Sequence, residues 1–123
     1  MKKKISILGS TGSIGLSVIK IISKKKKDFK INVLAADKNY RLIRKQIKEL
    51  KPNCFFINNP FIYNKIKKEF YSSNIKILKD FSLKNNKLTK SNITISAIPG
   101  IAGLEPTIQL IKKSKKVLLA NKE

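Results

Sequence analysis

The stretch Ile5-Ser6-Ile7-Leu8-Gly9-Ser10-Thr11-Gly12-Ser13-Ile14-Gly15 constrains this chain more than any other. A strand-length apolar run enters three glycines spaced three apart and leaves as an amphipathic helix. A strand turning into a helix through Gly-x-x-Gly-x-x-Gly reads as the first turn of a dinucleotide-binding βαβ unit, although Gly-x-Gly-x-x-Gly is the commoner spacing. Each glycine has its own expected task. Gly9 lets the chain turn sharply out of the strand, Gly12 removes a Cβ that would keep a pyrophosphate from the backbone, and Gly15 lets the helix lie close on the sheet. The unpaired amides of the first helical turn, with the positive end of the helix dipole, then face the phosphates. Ser10, Thr11 and Ser13 add hydroxyl donors. A tight strand-to-helix turn also wants glycine for structural reasons alone, but the strand before and the helix after favour phosphate cradling.

Downstream, the hydrophobic periodicity alternates. Ile14, Val18, Ile21 and Ile22 recur at helical spacing, and the lysine run 24–27 closes that helix where cations suit its carboxyl end. Residues 31–36 read as a second strand and Asp37-Lys38-Asn39 as the polar turn beyond it. Ile43, Ile47 and Leu50 mark a second helix ended by Pro52, residues 54–57 a third strand, and Pro60 opens a helix carrying Ile62, Ile66 and Phe70. A short strand is expected at 75–78, a loop or short helix at 80–90, and a strand at 93–98 that runs into a small-residue turn at 99–103. Leu104, Ile108 and Ile111 give the buried face of a further helix, and 117–120 is a last strand with Asn121-Lys122-Glu123 just past its end. This rhythm predicts an α/β fold: one domain over residues 1–123, a doubly wound parallel sheet of Rossmann-like type with helices on both faces.

The charge balance, 28 basic against 7 acidic residues for a net +21, raises a nucleic-acid reading. Its distribution argues against one. Lysines are scattered along the whole chain, arginine occurs only as Arg41 and Arg44, and no aromatic residues interleave with the basic runs as single-strand binders require. A solvated basic surface with no nucleic-acid partner is expected. The single cysteine, Cys54, excludes an internal disulfide and sits in an apolar run, where it reads as a small buried hydrophobe more than as a nucleophile. No histidine occurs, so a histidine base or ligand is excluded within these residues. No apolar run reaches membrane-spanning length. Met1 stands close before the first strand, so neither a signal nor a transit peptide is expected, and the setting is cytoplasmic.

In a doubly wound sheet, ligands lie outside the carboxyl ends of the strands, so the four turns at that edge matter most. The glycine turn is the first. The second, Asp37-Lys38-Asn39, carries two signals: Asp37, about twenty residues past the glycines, suits a ribose 2′-hydroxyl as in NAD, whereas Lys38 and Asn39 suit the 2′-phosphate of NADP. The balance tips only slightly to NADP. The third, 99–103, admits a ring or ribose or is simply tight. In the fourth, Asn121-Lys122-Glu123, the lysine offers a point charge to an anionic substrate, or the segment is an ordinary loop.

Taken together, Gly9-Ser10-Thr11-Gly12-Ser13-Ile14-Gly15, Lys38-Asn39, Ala102-Gly103-Leu104 with Pro106-Thr107, and Leu118-Leu119-Ala120-Asn121-Lys122-Glu123 resemble the N-terminal domain of the 1-deoxy-D-xylulose-5-phosphate reductoisomerases. The resemblance runs through the chain in order. It implies an enzyme that rearranges and reduces 1-deoxy-D-xylulose 5-phosphate to 2-C-methyl-D-erythritol 4-phosphate in non-mevalonate isoprenoid synthesis, using NADPH and a divalent metal (Mg or Mn). It also implies a homodimer with a phosphosugar substrate and fosmidomycin as inhibitor. By the same resemblance, Thr11, Gly12, Ser13 and Ile14 contact the cofactor phosphates and Lys38 with Asn39 the adenosine 2′-phosphate region, which resolves the second turn in favour of NADPH. Asn121 and Glu123 lie at the nicotinamide side, and Lys122 touches the substrate. Two residues depart from the family pattern: Asp37 stands where glycine is common, and Pro99 where valine is usual. The family's metal-binding carboxylates lie beyond its Asn-Lys-Glu segment, in a catalytic domain followed by a helical C-terminal one. The chain is therefore expected to be a fragment, with neither a catalytic residue nor a metal ligand, that binds NADPH without turning over. The rival readings are the cofactor domain of another NAD(P) oxidoreductase, such as a semialdehyde dehydrogenase, and a basic nucleic-acid-binding module.

Overall fold

Alternating apolar residues in the first strand, Ile5 and Ile7 to one side and Ser6 and Leu8 to the other, set the two faces on which the rest of the chain packs. The computed structural model describes residues 2–79 and 91–97, and residues 114–119 by their backbone. Its elements run β1 (Lys3–Leu8), α1 (Ser13–Ser23), β2 (Phe29–Ala36), α2 (Tyr40–Leu50), β3 (Cys54–Ile57), α3 (Pro60–Glu69), β4 (Lys76–Leu78), β5 (Ser91–Ser96) and β6 (Ser114–Leu119). The strands form one parallel six-stranded sheet in the order β4-β3-β2-β1-β5-β6. The chain winds outward from β1 in one direction as far as β4, then returns to the other side of β1. That reversal is the doubly wound topology expected from the sequence, with its switch point between β1 and β5.

Helix ends follow their local chemistry. The side chain of Asn39 caps α2 by accepting from Leu42 N at 3.2 Å, and that of Asn59 caps α3 by accepting from Ile62 N at 3.1 Å, with Pro60 in the first turn. Lys51 closes α2 in the left-handed region at φ 47° just before the buried Pro52. The first helix ends at Ser23 with Lys24 as its cap. Its buried stripe is Gly15, Val18, Ile19 and Ile22, and Ile21 is 60% exposed. The expectation that Ile21 faces the core is corrected: it lies about 100° around the helix from Ile22.

One face of the sheet carries a core of Ile5, Ile7, Leu34, Phe55, Ile57 and Ile77 with Ile22, Ile43, Ile47 and Ile66 from the three helices. The opposite face carries Leu8, Val33, Ala35, Cys54 and Phe56, all strand residues. The helix predicted after residue 103, and the loop or helix predicted at 80–90, lie outside the described residues. Strand limits shift from the sequence reading: β2 starts at Phe29, β5 covers Ser91–Ser96, and β6 spans Ser114–Leu119 rather than 117–120. Serines and lysines at strand starts join the ladder through their backbones, which hydropathy does not register.

Asn32, in the middle of an apolar strand, is 1% exposed. The β1–β2 register slips between Ile5 and Ser6, so that Ile5 pairs with Ile31 and Ser6 with Val33. Asn32 is the additional residue of this bulge. Its Nδ2 donates to Ser91 Oγ and its Oδ1 accepts from Asn53 Nδ2, both at 2.8 Å. Lys4 N donates to Asn92 Oδ1 at 2.8 Å. These contacts tie β1 and β2 to β5, and β2 to the loop before β3, through hydrogen-bonded polar groups.

Cys54 is fully buried, and burial pushes its thiol up to about 12, with Lys76 opposing weakly. At pH 8 the native chain is expected to resist thiol reagents while the denatured chain labels fully. Labelling at the native rate of an exposed thiol, followed by mass spectrometry, would contradict this placement.

Candidate functional site

The carboxyl ends of four strands come out at one edge. Leu8 is in register with Ala35 on one side and Ser96 on the other, and Ser96 is in register with Leu119. Gly9 N and Ser10 N both donate to Ala35 O, at 2.8 and 3.0 Å, and Ala97 N donates to Leu8 O at 2.8 Å. The glycine turn therefore leaves β1 against the end of β2, directly before Asp37-Lys38-Asn39. Residues 99–103 and 121–123, including Asn121, Lys122 and Glu123, lie outside the described residues.

The three glycines are used differently. Gly9 adopts φ 82°, the left-handed region in which side chains are strained. A Cβ on Gly15 would fall 2.2 Å from Gly9 O and 2.9 Å from Ser10 Cα, so that glycine is fixed by the contact of α1 with the turn. Gly12 is exposed at φ −80°, and a Cβ there would meet only Gly9 O at 3.6 Å, an ordinary contact. Among the described residues nothing requires glycine at position 12, so its bareness is available to a ligand.

Gly12 is also the N-cap of α1, which carries no side-chain cap, in contrast to α2 and α3. Thr11 and Ile14 are half-buried and Ser13 is exposed beside it. Ser10 departs from the expectation of a hydroxyl donor at the mouth: it is fully buried, hydroxyl included.

In the second turn Asp37, Lys38 and Asn39 are all exposed. Asn58 Nδ2 donates to Asp37 Oδ1 at 3.4 Å, drawing that carboxylate towards the end of β3, and Asn59 N donates to Asp37 O at 3.2 Å. Asn39 uses its Oδ1 to cap α2 and keeps an amide donor besides. The start of α2 is fastened to α3: Tyr40 Oη donates to Glu69 Oε1 at 2.5 Å, Arg44 Nε donates to Glu69 Oε2, and Lys65 Nζ lies 4.2 Å over the Tyr40 ring. The Tyr40 hydrogen bond first, and then Arg44, hold the Glu69 carboxyl below its usual range. This fastening is therefore complete above the ordinary carboxylate range and is lost as pH falls through the lowered value.

One participant is absent from the sequence reading. Gln46, on the buried stripe of α2 next to Ile47, donates its Nε2 to Ser10 O at 2.8 Å across 36 positions of sequence. A single polar residue on an apolar helical stripe is the only signal that pointed to it.

The family model for 1-deoxy-D-xylulose 5-phosphate reductoisomerase matches residues 5–123. The chain belongs to the 1-deoxy-D-xylulose 5-phosphate reductoisomerase family. It is 37% identical over 124 residues to the reductoisomerase of Pelagibacter ubique and 39% identical over 128 residues to that of Buchnera aphidicola, in each case over 98% of this chain. It spans 32% and 31% of those relatives' lengths, about a third. Among solved structures it is similar to the reductoisomerase of Zymomonas mobilis in complex with NADPH, with a TM-score of 0.85 and 27% identity over 99% of this chain and 32% of that one. It is also similar to a reductoisomerase in complex with NADPH, fosmidomycin and magnesium, with a TM-score of 0.83 and 26% identity over 98% of this chain and 30% of that one. Membership of the reductoisomerase family replaces the semialdehyde dehydrogenase reading, and the buried, high-pKa Cys54 is unsuited to the nucleophile that reading needs. Among the described residues, no three histidine, cysteine, aspartate or glutamate side chains are grouped to hold a metal ion, and no helix is long and apolar enough to cross a membrane.

Proposed function

We propose that residues 1–123 are the NADPH-binding domain of a reductoisomerase that converts 1-deoxy-D-xylulose 5-phosphate to 2-C-methyl-D-erythritol 4-phosphate. The observation that carries this reading is Gly12: an exposed, sterically unforced glycine at the uncapped end of α1, beside the topological switch point. In this proposal Thr11, Gly12, Ser13 and Ile14 hold the cofactor phosphates, the main chain donating and the first helical turn supplying the partial positive charge. Lys38 and the free amide donor of Asn39 take the 2′-phosphate. Asp37 keeps a negative charge in this turn, and the hydrogen bond from Asn58 holds its carboxylate towards the end of β3.

Asn121 and Glu123 would orient the nicotinamide side and Lys122 the substrate phosphosugar. The register that ends β6 at Leu119, level with Ser96 and Leu8, is what supports them. NADPH supplies the hydride when bound; the chain's own residues bind and orient it. The described residues do not fit a divalent metal. A cytoplasmic homodimer, with metal ligands and catalytic residues in the part of the family's length that this chain does not match, completes the proposal on the strength of family resemblance. The 123 residues alone are expected to bind NADPH and not to convert substrate.

Fluorescence titration tests the reading. Saturable NADPH uptake is expected, and Lys38→Ala is expected to raise the NADPH Kd about tenfold, roughly the effect of losing one phosphate-paired cation. The NADH Kd should stay within about twofold, because NADH lacks the paired phosphate. No saturable uptake by the folded chain, or equal losses for both nucleotides, would refute it.

A further inference from the structure

We infer that Gln46 is a positioning residue for the dinucleotide, setting the direction of one phosphate-facing amide from beneath the loop; this rests on the reading of the glycine turn as a phosphate cradle. Gln46 is 4% exposed and stands between Ile43 and Ile47 on the buried stripe of α2. Its Nε2 donates to Ser10 O at 2.8 Å. The Ser10–Thr11 peptide is planar and trans, so its carbonyl and the Thr11 N–H point in opposite directions. Drawing the carbonyl inward to Gln46 turns the Thr11 N–H outward, towards the mouth beside Gly12. Ser10 N is pinned at the same time to Ala35 O at 3.0 Å, so both ends of the residue after the left-handed Gly9 are held. Were that peptide to flip, a carbonyl oxygen would face the phosphates in place of a donor.

The glutamine's hydrogen bonding is directed at the loop and leaves its other end unpaired. Gln46 Oε1 and Ser10 Oγ are both buried with no hydrogen-bond partner among the described residues. An apolar residue here would spare the orphan Oε1 but leave the Ser10 carbonyl without its Gln46 donor, so the glutamine serves the loop and not the helix. What the glutamine adds is the orientation of the loop.

The test uses the chain with NADP+ and 2′-AMP, the latter carrying the 2′-phosphate and no pyrophosphate. Gln46→Met, which keeps the volume and removes the donor, is expected to weaken NADP+ about tenfold by calorimetry, the equivalent of about 1.4 kcal/mol. It should leave 2′-AMP within about twofold, since that ligand does not reach the glycine turn. Equal losses for both ligands, or an unchanged NADP+ affinity in a folded variant, overturn the inference. In the unsubstituted chain, whatever the variant's folding, the Thr11 amide resonance should shift on adding NADP+ and not on adding 2′-AMP; a Thr11 amide indifferent to bound NADP+ overturns it too. Failure of the unsubstituted chain to bind NADP+ at all instead overturns the dinucleotide reading beneath it.

Discussion

Gly15→Ala is expected to destabilise the fold strongly, whereas Gly12→Ala is expected to leave the fold intact and cost the cofactor. The difference lies in what each new methyl meets. At position 15 it would sit 2.2 Å from Gly9 O and 2.9 and 3.0 Å from Ser10 Cα and C, all backbone atoms. That turn cannot yield, because Gly9 N and Ser10 N are bonded to Ala35 O and Ser10 O is bonded to Gln46. Relief requires lifting α1 from the sheet and loosening Ile22 in the core. Overpacking of a close-packed contact costs about 1–3 kcal/mol and more where backbone meets backbone, so at least ~3 kcal/mol is expected here. Against a whole-domain stability of roughly 5–15 kcal/mol, that is a large fraction, and the urea midpoint should fall clearly below that of the unsubstituted chain. Position 12 is the converse. Its φ of −80° suits any residue and its nearest neighbour would be 3.6 Å away, so urea unfolding should change by no more than about 0.5 kcal/mol. The methyl would nevertheless occupy the space before the helix amides, and the NADPH Kd should rise about tenfold or more. A wild-type urea midpoint for Gly15→Ala would show that the α1 contact is looser than described. A wild-type Kd for Gly12→Ala would remove the reason given for its bareness.

Phe55→Ala is expected to destabilise the chain by about 3–5 kcal/mol, the range for truncating a buried phenylalanine. Phe55 has no exposed surface, lies in register with Leu34 on one side and Ile77 on the other, and belongs to the core formed with all three helices. Truncation leaves a cavity in the layer between helices and sheet, where neighbours on three strands restrict collapse. Phe61→Ala serves as the control, since Phe61 is 72% exposed on α3 and its loss should change stability by no more than about 0.5 kcal/mol. Thermal and urea unfolding of the two variants should separate them clearly, and similar melting of both would contradict the core assignment.

Much of this architecture was legible because the signals were local. Ile43 and Ile47 at helical spacing, Pro60 behind a capping asparagine, and Cys54-Phe55-Phe56-Ile57 between polar turns each specify an element within a few residues. The glycine turn was legible for the same reason. Three features were not, and all depend on contacts between residues distant in sequence. Ile21 looked like core until the helix settled with Gly15, Val18, Ile19 and Ile22 inward. Ser10 looked like a donor at the mouth until the turn buried it. Asn32 read only as part of the strand 31–36, and the bulge set it between Ser91 and Asn53.

The sequence by itself determined that strands alternate with helices, that the first turn carries the glycine pattern expected of a phosphate cradle, and to which family the motifs point. These follow from short-range sterics, from hydrophobic periods and from residue order. The tertiary structure supplied the contact behind the roles expected of Gly12 and Gly15, since whether a Cβ fits depends on which backbone atoms α1 presses on. It alone brought Gln46 under Ser10, because a side chain finds a partner 36 positions away only after the sheet has set α2 beside the turn.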